Sequence, residues 1–177
     1  LTDIPVTEMR KAMREKRLDA MRPIEPRSEE NWRQTMLSFA RVAKKVFEKD
    51  TVNIAFLGGS ITEMNGFRPL VMAALKAKYP QVEFKEINAG LSSTCSDTGA
   101  YRFADDVLKK GVPDLLIVDS AVNDEQDGHF DRQHCLRGVE GIVRHALAAN
   151  PSCAIVVSLM VNKAQYDQLM KGETPLH

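Results

Sequence analysis

The hydrophobic positions of this chain fall into short uninterrupted apolar runs separated by longer segments with helical spacing. The apolar runs predict four strands, over residues 52–57, 82–87, 115–118 and 154–159. Between and after them, amphipathic spacing predicts helices over residues 67–79, 98–110, 131–149 and 164–170. Buried strands that alternate with helices are typical of a parallel sheet covered on both faces, so we predict an α/β fold.

The N-terminal residues do not follow this alternation. Residues 1–27 are polar with scattered methionines and leucines, and we expect them to pack on the outside of the domain. A helix begins near Glu29, and its apolar stripe predicts packing against the sheet. The stripe consists of Trp32, Met36, Phe39, Ala43, Val46 and Phe47. We therefore predict an N-terminal helical extension over residues 1–50 and an α/β domain over residues 51–177.

The end of the chain differs from a complete doubly wound domain. After the fourth strand only a short helical segment follows before Pro175 and His177. A parallel sheet that stops there looks incomplete, so we expect the native polypeptide to continue beyond His177. The chain starts at Leu1 rather than at methionine, which is compatible with removal of a secretion signal, and the compartment stays open.

Composition narrows the possible partners. The chain has 177 residues, of which 44% are hydrophobic and 27% charged, as in an ordinary globular protein. Lysine plus arginine and aspartate plus glutamate each number 24, so neither nucleic acid nor an anionic membrane is indicated. No apolar run approaches the roughly 20 residues of a membrane span. Three cysteines without C-x-x-C spacing favour free thiols over a zinc site or a disulfide framework.

The candidate chemistry follows the strands. The first strand leads into Gly58-Gly59-Ser60, the second into Asn88-Ala89-Gly90, and the third into Ala121-Val122-Asn123-Asp124. The carboxyl ends of parallel strands share one edge of the sheet, where open α/β folds place their ligands. There Ser60 Oγ is placed to attack a carbonyl carbon. The N–H groups of Ser60 and Gly90 and the Asn123 amide would donate to the oxyanion.

These three blocks resemble the SGNH hydrolases, also called the GDSL esterase and lipase superfamily. The resemblance runs from Phe56 to Asp124 and implies a flavodoxin-like three-layer fold and a serine esterase without metal or organic cofactor. It implies that Ser60 is the nucleophile, with Gly90 and Asn123 as oxyanion donors. The Ser- and Thr-rich loop after Gly90 is similar to that of members acting on carbohydrate esters, which makes an O-acetylated carbohydrate the expected substrate. Oligomeric state is left open.

This chain departs from the family pattern in three places. Gly59 stands where the family usually has Asp, and Ala121 stands where the third block usually has Gly. Both residues are small, so we expect them to be tolerated. The third departure is larger, because the family's catalytic Asp and His follow a fifth strand that is missing here. We therefore expect the 177-residue chain itself to be catalytically impaired.

The four histidines of this chain are the candidate substitutes for the missing base. Asp131 and His134 have the D-x-x-H spacing but lie at the start of a predicted helix, where a cap and a surface histidine are the simpler interpretation. His129 lies in the loop beside Asn123 and is the other candidate. His145 is predicted to lie on a helix face and His177 at the start of a further helix.

Two other functional classes remain open. A glycine turn before a helix also binds phosphate, although neither G-x-G-x-x-G nor G-x-x-x-x-G-K-[ST] occurs. Alternatively, the chain is a carbohydrate- or ligand-binding pseudoenzyme that keeps the SGNH fold without the catalytic base.

Three polar residues follow Ser60 closely and could contact substrate, namely Glu63, Asn65 and Arg68. We expect each of them instead to be a solvated residue at the start of a helix.

Overall fold

The structure is a computed structural model that describes residues 29–172. The predicted extension over residues 1–27 and His177 therefore lie outside the described residues, and the division at residue 50 stays a prediction. Among the described residues, no helix combines the length and the hydropathy that crossing a bilayer requires.

The helices and strands alternate through the described residues. In chain order they are α1 (Glu29–Phe47), β1 (Val52–Gly58), α2 (Ser60–Glu63), α3 (Phe67–Lys78), β2 (Phe84–Gly90), α4 (Ser96–Phe103) with a π-helical turn (Ala104–Leu108), β3 (Leu115–Asp119), α5 (Ala121–Gln126), α6 (Arg132–Ala149), β4 (Ala154–Val157) and α7 (Lys163–Met170).

The four described strands form one parallel sheet in the order β2-β1-β3-β4. Gly58, at the end of β1, is in register with Gly90 of β2 on one side and with Asp119 of β3 on the other. The carboxyl ends of these strands therefore form one continuous rim, as the strand pattern predicted.

Each face of the sheet has its own hydrophobic cluster. One cluster joins Leu57 and Val118 of the sheet to Phe103 of α4 and to Ile142 of α6. The other joins strand residues such as Ile54 and Phe56 to residues of α1 and α3. The layers are thus helix, sheet and helix, which confirms the predicted three-layer α/β fold.

Strand β2 runs three residues further than its apolar run indicated. It spans Phe84–Gly90 instead of residues 82–87, so Asn88 and Gly90 belong to the strand and do not follow it. The reason is that β2 lies at the edge of the sheet, where one side of the strand faces solvent and polar residues are tolerated. By contrast, β4 ends at Val157, two residues before its predicted end.

The segment after β3 is another difference. No helix was predicted between the strand over residues 115–118 and the helix over residues 131–149, but Ala121–Gln126 form α5. A helix of six residues is too short to show a periodic apolar pattern. In addition, its inward residues include the polar Asn123 and Asp124, both buried.

The predicted apolar stripe of α1 is only partly correct. Met36 is 64% and Phe47 is 81% exposed, whereas Val46 of the stripe packs against the sheet cluster together with Val42, which lies outside the stripe. Polar contacts accompany this orientation, because Lys45 Nζ lies 2.7 Å from Asp114 Oδ1. Helical spacing therefore indicated an amphipathic helix without showing which side faces the sheet.

Candidate active site

Ser60 is the first residue of the short helix α2 and lies just beyond the end of β1. Gly59 precedes it as the N-cap, and Ser60 itself is partly buried. Among residues 29–172, no hydrogen bond engages Ser60 Oγ. The first N–H groups of any helix lack an intrahelical acceptor, so the Ser60 N–H has no partner within α2. This strand-turn-helix places a hydroxyl and a donor together at the rim.

Two glycines allow the three segments to approach each other closely. A Cβ on Gly59 would lie 2.1 Å from Asn123 Oδ1, and one on Gly90 would lie 2.3 Å from the backbone nitrogen of Glu63. Side chains at these positions would therefore collide with α5 and with α2, respectively. The segment after β3 and the end of β2 thus both contact the turn that carries Ser60.

The two predicted oxyanion donors of the neighbouring segments already have partners. The Gly90 N–H donates to Asn88 Oδ1 at 2.9 Å. Asn123 Nδ2 donates to Asp127 Oδ2 at 2.6 Å. An amide nitrogen carries two hydrogens, so Asn123 keeps a second N–H, whereas a backbone N–H has one. The roles of Ser60, Gly90 and Asn123 remain predictions.

Buried and hydrogen-bonded side chains hold α2 in place. Arg68 is 7% exposed, donates through Nε to the carbonyl of Thr62 at 3.1 Å and forms an ion pair with Glu86. The carbonyls at the end of α2 therefore have a cationic donor. Thr62 Oγ1 also donates to Asp119 Oδ2 at 3.2 Å. These contacts connect the short helix to β2 and β3, which restrains the position of Ser60.

Of the three residues that follow Ser60, Arg68 differs from the predicted solvated helix start, whereas Glu63 and Asn65 are exposed. Arg68 is buried and structural, while Glu63 accepts bonds from both the N–H and the hydroxyl of Ser92. Glu63 thereby connects α2 to the loop after β2. Asn65 Oδ1 lies 3.4 Å from Arg68 Nη2 and is exposed.

A second arginine supports the turn from the opposite side. Arg102 of α4 donates to the carbonyl of Gly58 at 3.0 Å and pairs with Asp106 at 2.7 Å. The Leu91 N–H donates to the same carbonyl at 3.0 Å. Arg102 was missed in the sequence because it lies 44 residues from Gly58 and in no recognised block.

Burial and nearby carboxylates shape the electrostatics at the rim. Burial raises the pKa of Asp119 above its ordinary value, and the hydrogen bond from Thr62 opposes that shift. Asp124 Oδ1 accepts from the Ser96 N–H at 2.6 Å, at the start of α4. Burial, followed by the charge of Asp124, raises the pKa of Cys95 to about 11. The Cys95 thiol is therefore protonated at neutral pH and is not a competing nucleophile.

The described histidines are not bonded to Ser60. Asp131 is the N-cap of α6 and accepts from the backbone N–H of His134 at 2.7 Å. The His134 side chain lies 3.4 Å from Asp97 and stacks on Phe130. The Asp131 and His134 pair is thus a cap and a stacked side chain, as the simpler interpretation held.

The other two described histidines are both exposed. His145 stacks with Phe103 at a ring distance of 5.9 Å. His129 adopts a left-handed backbone with φ of 48° in the loop after α5. Among residues 29–172, no hydrogen bond joins a histidine to Ser60, and no group of side chains is suited to hold a metal ion.

Comparison with known proteins identifies the fold. No protein-family model matches this chain, and neither does any curated protein. A solved two-domain esterase (CEX) active on acetylated mannans, co-crystallised with mannopentaose, matches with a TM-score of 0.60 and 30% identity. The match covers 68% of this chain and 33% of the esterase. AlinE4, an SGNH-hydrolase family esterase, matches with a TM-score of 0.51 and 21% identity, over 61% of this chain and 58% of that protein.

These matches confirm the predicted resemblance to the SGNH esterases over part of the chain. The chain spans about a third of the length of the CEX esterase. At 21% identity, the likeness to AlinE4 concerns the fold alone.

Proposed function

We propose that this chain, which has the flavodoxin-like fold of the SGNH hydrolases, is the nucleophile-bearing part of a serine esterase that acts on O-acetylated carbohydrates. The observation that carries the proposal is the contact of three strand ends around Ser60. Gly59 contacts the Asn123 amide, and Gly90 contacts the backbone of α2. The mannan esterase among the similar structures supports the choice of a carbohydrate ester.

The reaction proceeds through an acyl-enzyme. Ser60 Oγ attacks the ester carbonyl carbon as its proton passes to a base, and the alcohol leaves with a proton returned by that base. Water then attacks the acyl carbon as its proton passes to the base, and Ser60 Oγ leaves with that proton, which releases the acid and restores the serine. The oxyanion accepts hydrogen bonds from the Ser60 N–H and from the second N–H of Asn123. Gly90 contributes its N–H once the bond to Asn88 is exchanged for the oxyanion.

The base of this reaction is still to be assigned, because no histidine among residues 29–172 is hydrogen-bonded to Ser60. We expect a histidine beyond residue 177, oriented by an aspartate, to deprotonate Ser60. Without a base, the loss in rate is on the order of 10⁴–10⁶, and only oxyanion stabilisation and binding remain. His129 is the alternative base, because it lies in the loop that follows α5.

A second candidate function follows from the lack of a described histidine bonded to Ser60. No described histidine is hydrogen-bonded to Ser60, which favours a carbohydrate-binding pseudoenzyme if the polypeptide supplies no other base. The two candidates differ in the reactivity of Ser60, because only an activated hydroxyl reacts rapidly with a fluorophosphonate.

The test is intact-mass spectrometry before and after fluorophosphonate treatment, together with acetate release from acetylated mannan oligosaccharides. We expect one adduct on the full-length protein, no adduct on Ser60→Ala, and an unchanged adduct on the control Ser93→Ala. Ser93 is an exposed serine of the neighbouring loop. If the full-length wild type forms no adduct, the esterase proposal is wrong and the pseudoenzyme is favoured. If the 177-residue chain turns over esters at ordinary rates, His129 replaces the missing histidine as base.

A further inference from the structure

Asn123 is held at both ends of its side-chain amide. Its nitrogen donates to Asp127 Oδ2 at 2.6 Å, and its oxygen lies against Gly59, where an added Cβ would come within 2.1 Å. The residue is buried, with 7% exposure. The amide that the proposed mechanism uses is therefore fixed between the turn carrying Ser60 and the end of α5.

The backbone holds Asp127 in the position that this contact requires. The N–H groups of Asp127 and Gly128 both donate to the carbonyl of Asn123 at 2.9 Å. Residues four apart on a helix lie on the same face, one turn from each other. Cys95 Sγ also contacts the Asn123 carbonyl, at 3.3 Å. The spacing between the carboxylate and the amide is thus set by the last turn of α5.

The chemistry of the pair determines which end of the amide faces Asp127. An ionised carboxylate only accepts hydrogen bonds, so the flipped amide would place two oxygens against each other. A bond from an amide to a carboxylate is also stronger than one between neutral groups. One N–H of Asn123 therefore donates to Asp127. Because a flipped amide would lose this bond, the second N–H keeps a fixed position.

We propose that Asp127 is a positioning residue that orients the Asn123 amide so that its second N–H is presented to the oxyanion. This inference rests on the proposed esterase function. Asp127 touches neither substrate nor reacting atoms and acts only through Asn123. It follows Asn123 by four positions in a segment for which no helix was predicted, and for this reason the pair was not predicted.

The test is a double-mutant cycle on the full-length protein with an acetyl ester. Asp127→Ala removes the acceptor, and we expect kcat to fall by about 10-fold with KM changed less than about twofold. This loss is smaller than the 10²–10³-fold cost of removing an oxyanion donor outright. Asp127→Asn keeps an acceptor oxygen and should retain kcat within about threefold. In an Asn123→Ala background, Asp127→Ala should cause no further loss.

A structural readout accompanies the kinetics. The side-chain amide resonances of Asn123, identified by their loss in Asn123→Ala, should shift and exchange faster with solvent in Asp127→Ala but remain near wild type in Asp127→Asn. An equal loss of kcat in both backgrounds, a gain in kcat, or unchanged amide resonances would overturn the positioning role. If the wild type shows no turnover that depends on Ser60, both the proposed esterase function and the role of Asp127 are wrong. If the wild type turns over normally and Asp127→Ala has the same kcat, only the role of Asp127 is wrong.

Discussion

The contact between Gly59 and Asn123 makes Gly59→Ala the most informative single substitution. A Cβ there would lie 2.1 Å from Asn123 Oδ1 and 2.7 Å from its Cγ, whereas ordinary contact begins at 3.4 Å. The three atoms nearest to the added Cβ all belong to the Asn123 amide, so we expect this amide to withdraw by more than about 1 Å. That movement disrupts the 2.6 Å bond to Asp127.

The expected cost combines overpacking with a weakened charge-assisted hydrogen bond. Overpacking typically costs about 1–3 kcal/mol, and a hydrogen bond to a charged group contributes about 1.5–3 kcal/mol. The two effects overlap because one displacement causes both. We expect the free energy of unfolding to fall by about 2–4 kcal/mol, and kcat of the full-length protein to fall by about 10²-fold through the displaced donor.

Gly66→Ala is the matched control. Gly66 is also a helix N-cap with negative φ, and the nearest atom to its added Cβ is the Ile61 carbonyl oxygen at 3.9 Å. Removing a glycine from the unfolded chain has the same entropic effect in both variants. Urea denaturation of both and ester hydrolysis by both provide the comparison. Equal stability and equal kcat in the two variants would show that Asn123 is not held against the turn.

Three further substitutions or reactions test the surroundings of the site. Arg68→Met leaves Glu86 partly buried without its cation, so we expect the free energy of unfolding, measured in urea, to fall by about 3 kcal/mol. The control Glu86→Gln should lower it by less. An unchanged free energy of unfolding in Arg68→Met would show that Arg68 does not support α2. Burial raises the pKa of Asp119, so ionised Asp119 destabilises the fold above its folded-state pKa, and this penalty disappears as pH falls towards the ordinary value of 3.8. The free energy of unfolding of the wild type, relative to that of Asp119→Asn, should therefore increase as the pH falls from 7 to 4. A difference that stays constant with pH would contradict the effect of burial. The pKa of Cys95 rises from 9.0 to about 11, which lowers the thiolate fraction at pH 8 about 100-fold. Its alkylation by iodoacetamide, followed by peptide mass spectrometry, should accordingly be slow in the native protein and fast in urea.

Much of the fold was accessible from the order of apolar runs. Four such runs separated by amphipathic segments predict parallel strands, because a strand buried on both faces needs apolar residues at nearly every position. The same logic placed Ser60, Gly90 and Asn123 at one rim, since the ends of adjacent parallel strands share an edge. The prediction for β2 was less accurate because an edge strand carries polar residues without a clear pattern.

What the sequence could not determine are contacts between segments far apart along the chain. The amphipathic spacing of α1 did not reveal that Val42 joins Val46 against the sheet while Met36 and Phe47 are exposed, because the choice depends on the neighbouring surfaces. Arg68 appeared to be a solvated residue, yet its burial depends on the carbonyls of α2 and on Glu86 across the edge of the sheet.

The amino-acid sequence by itself therefore determined the α/β class, the parallel strands and the position of a serine at their carboxyl ends. The tertiary structure decided how the polar groups around that serine are paired. Gly90 donates to Asn88, and Asn123 donates to Asp127. The physical reason is range: hydrophobic periodicity is a local property of a strand or helix, whereas a hydrogen bond requires two atoms within about 3 Å, and only the folded chain brings them that close.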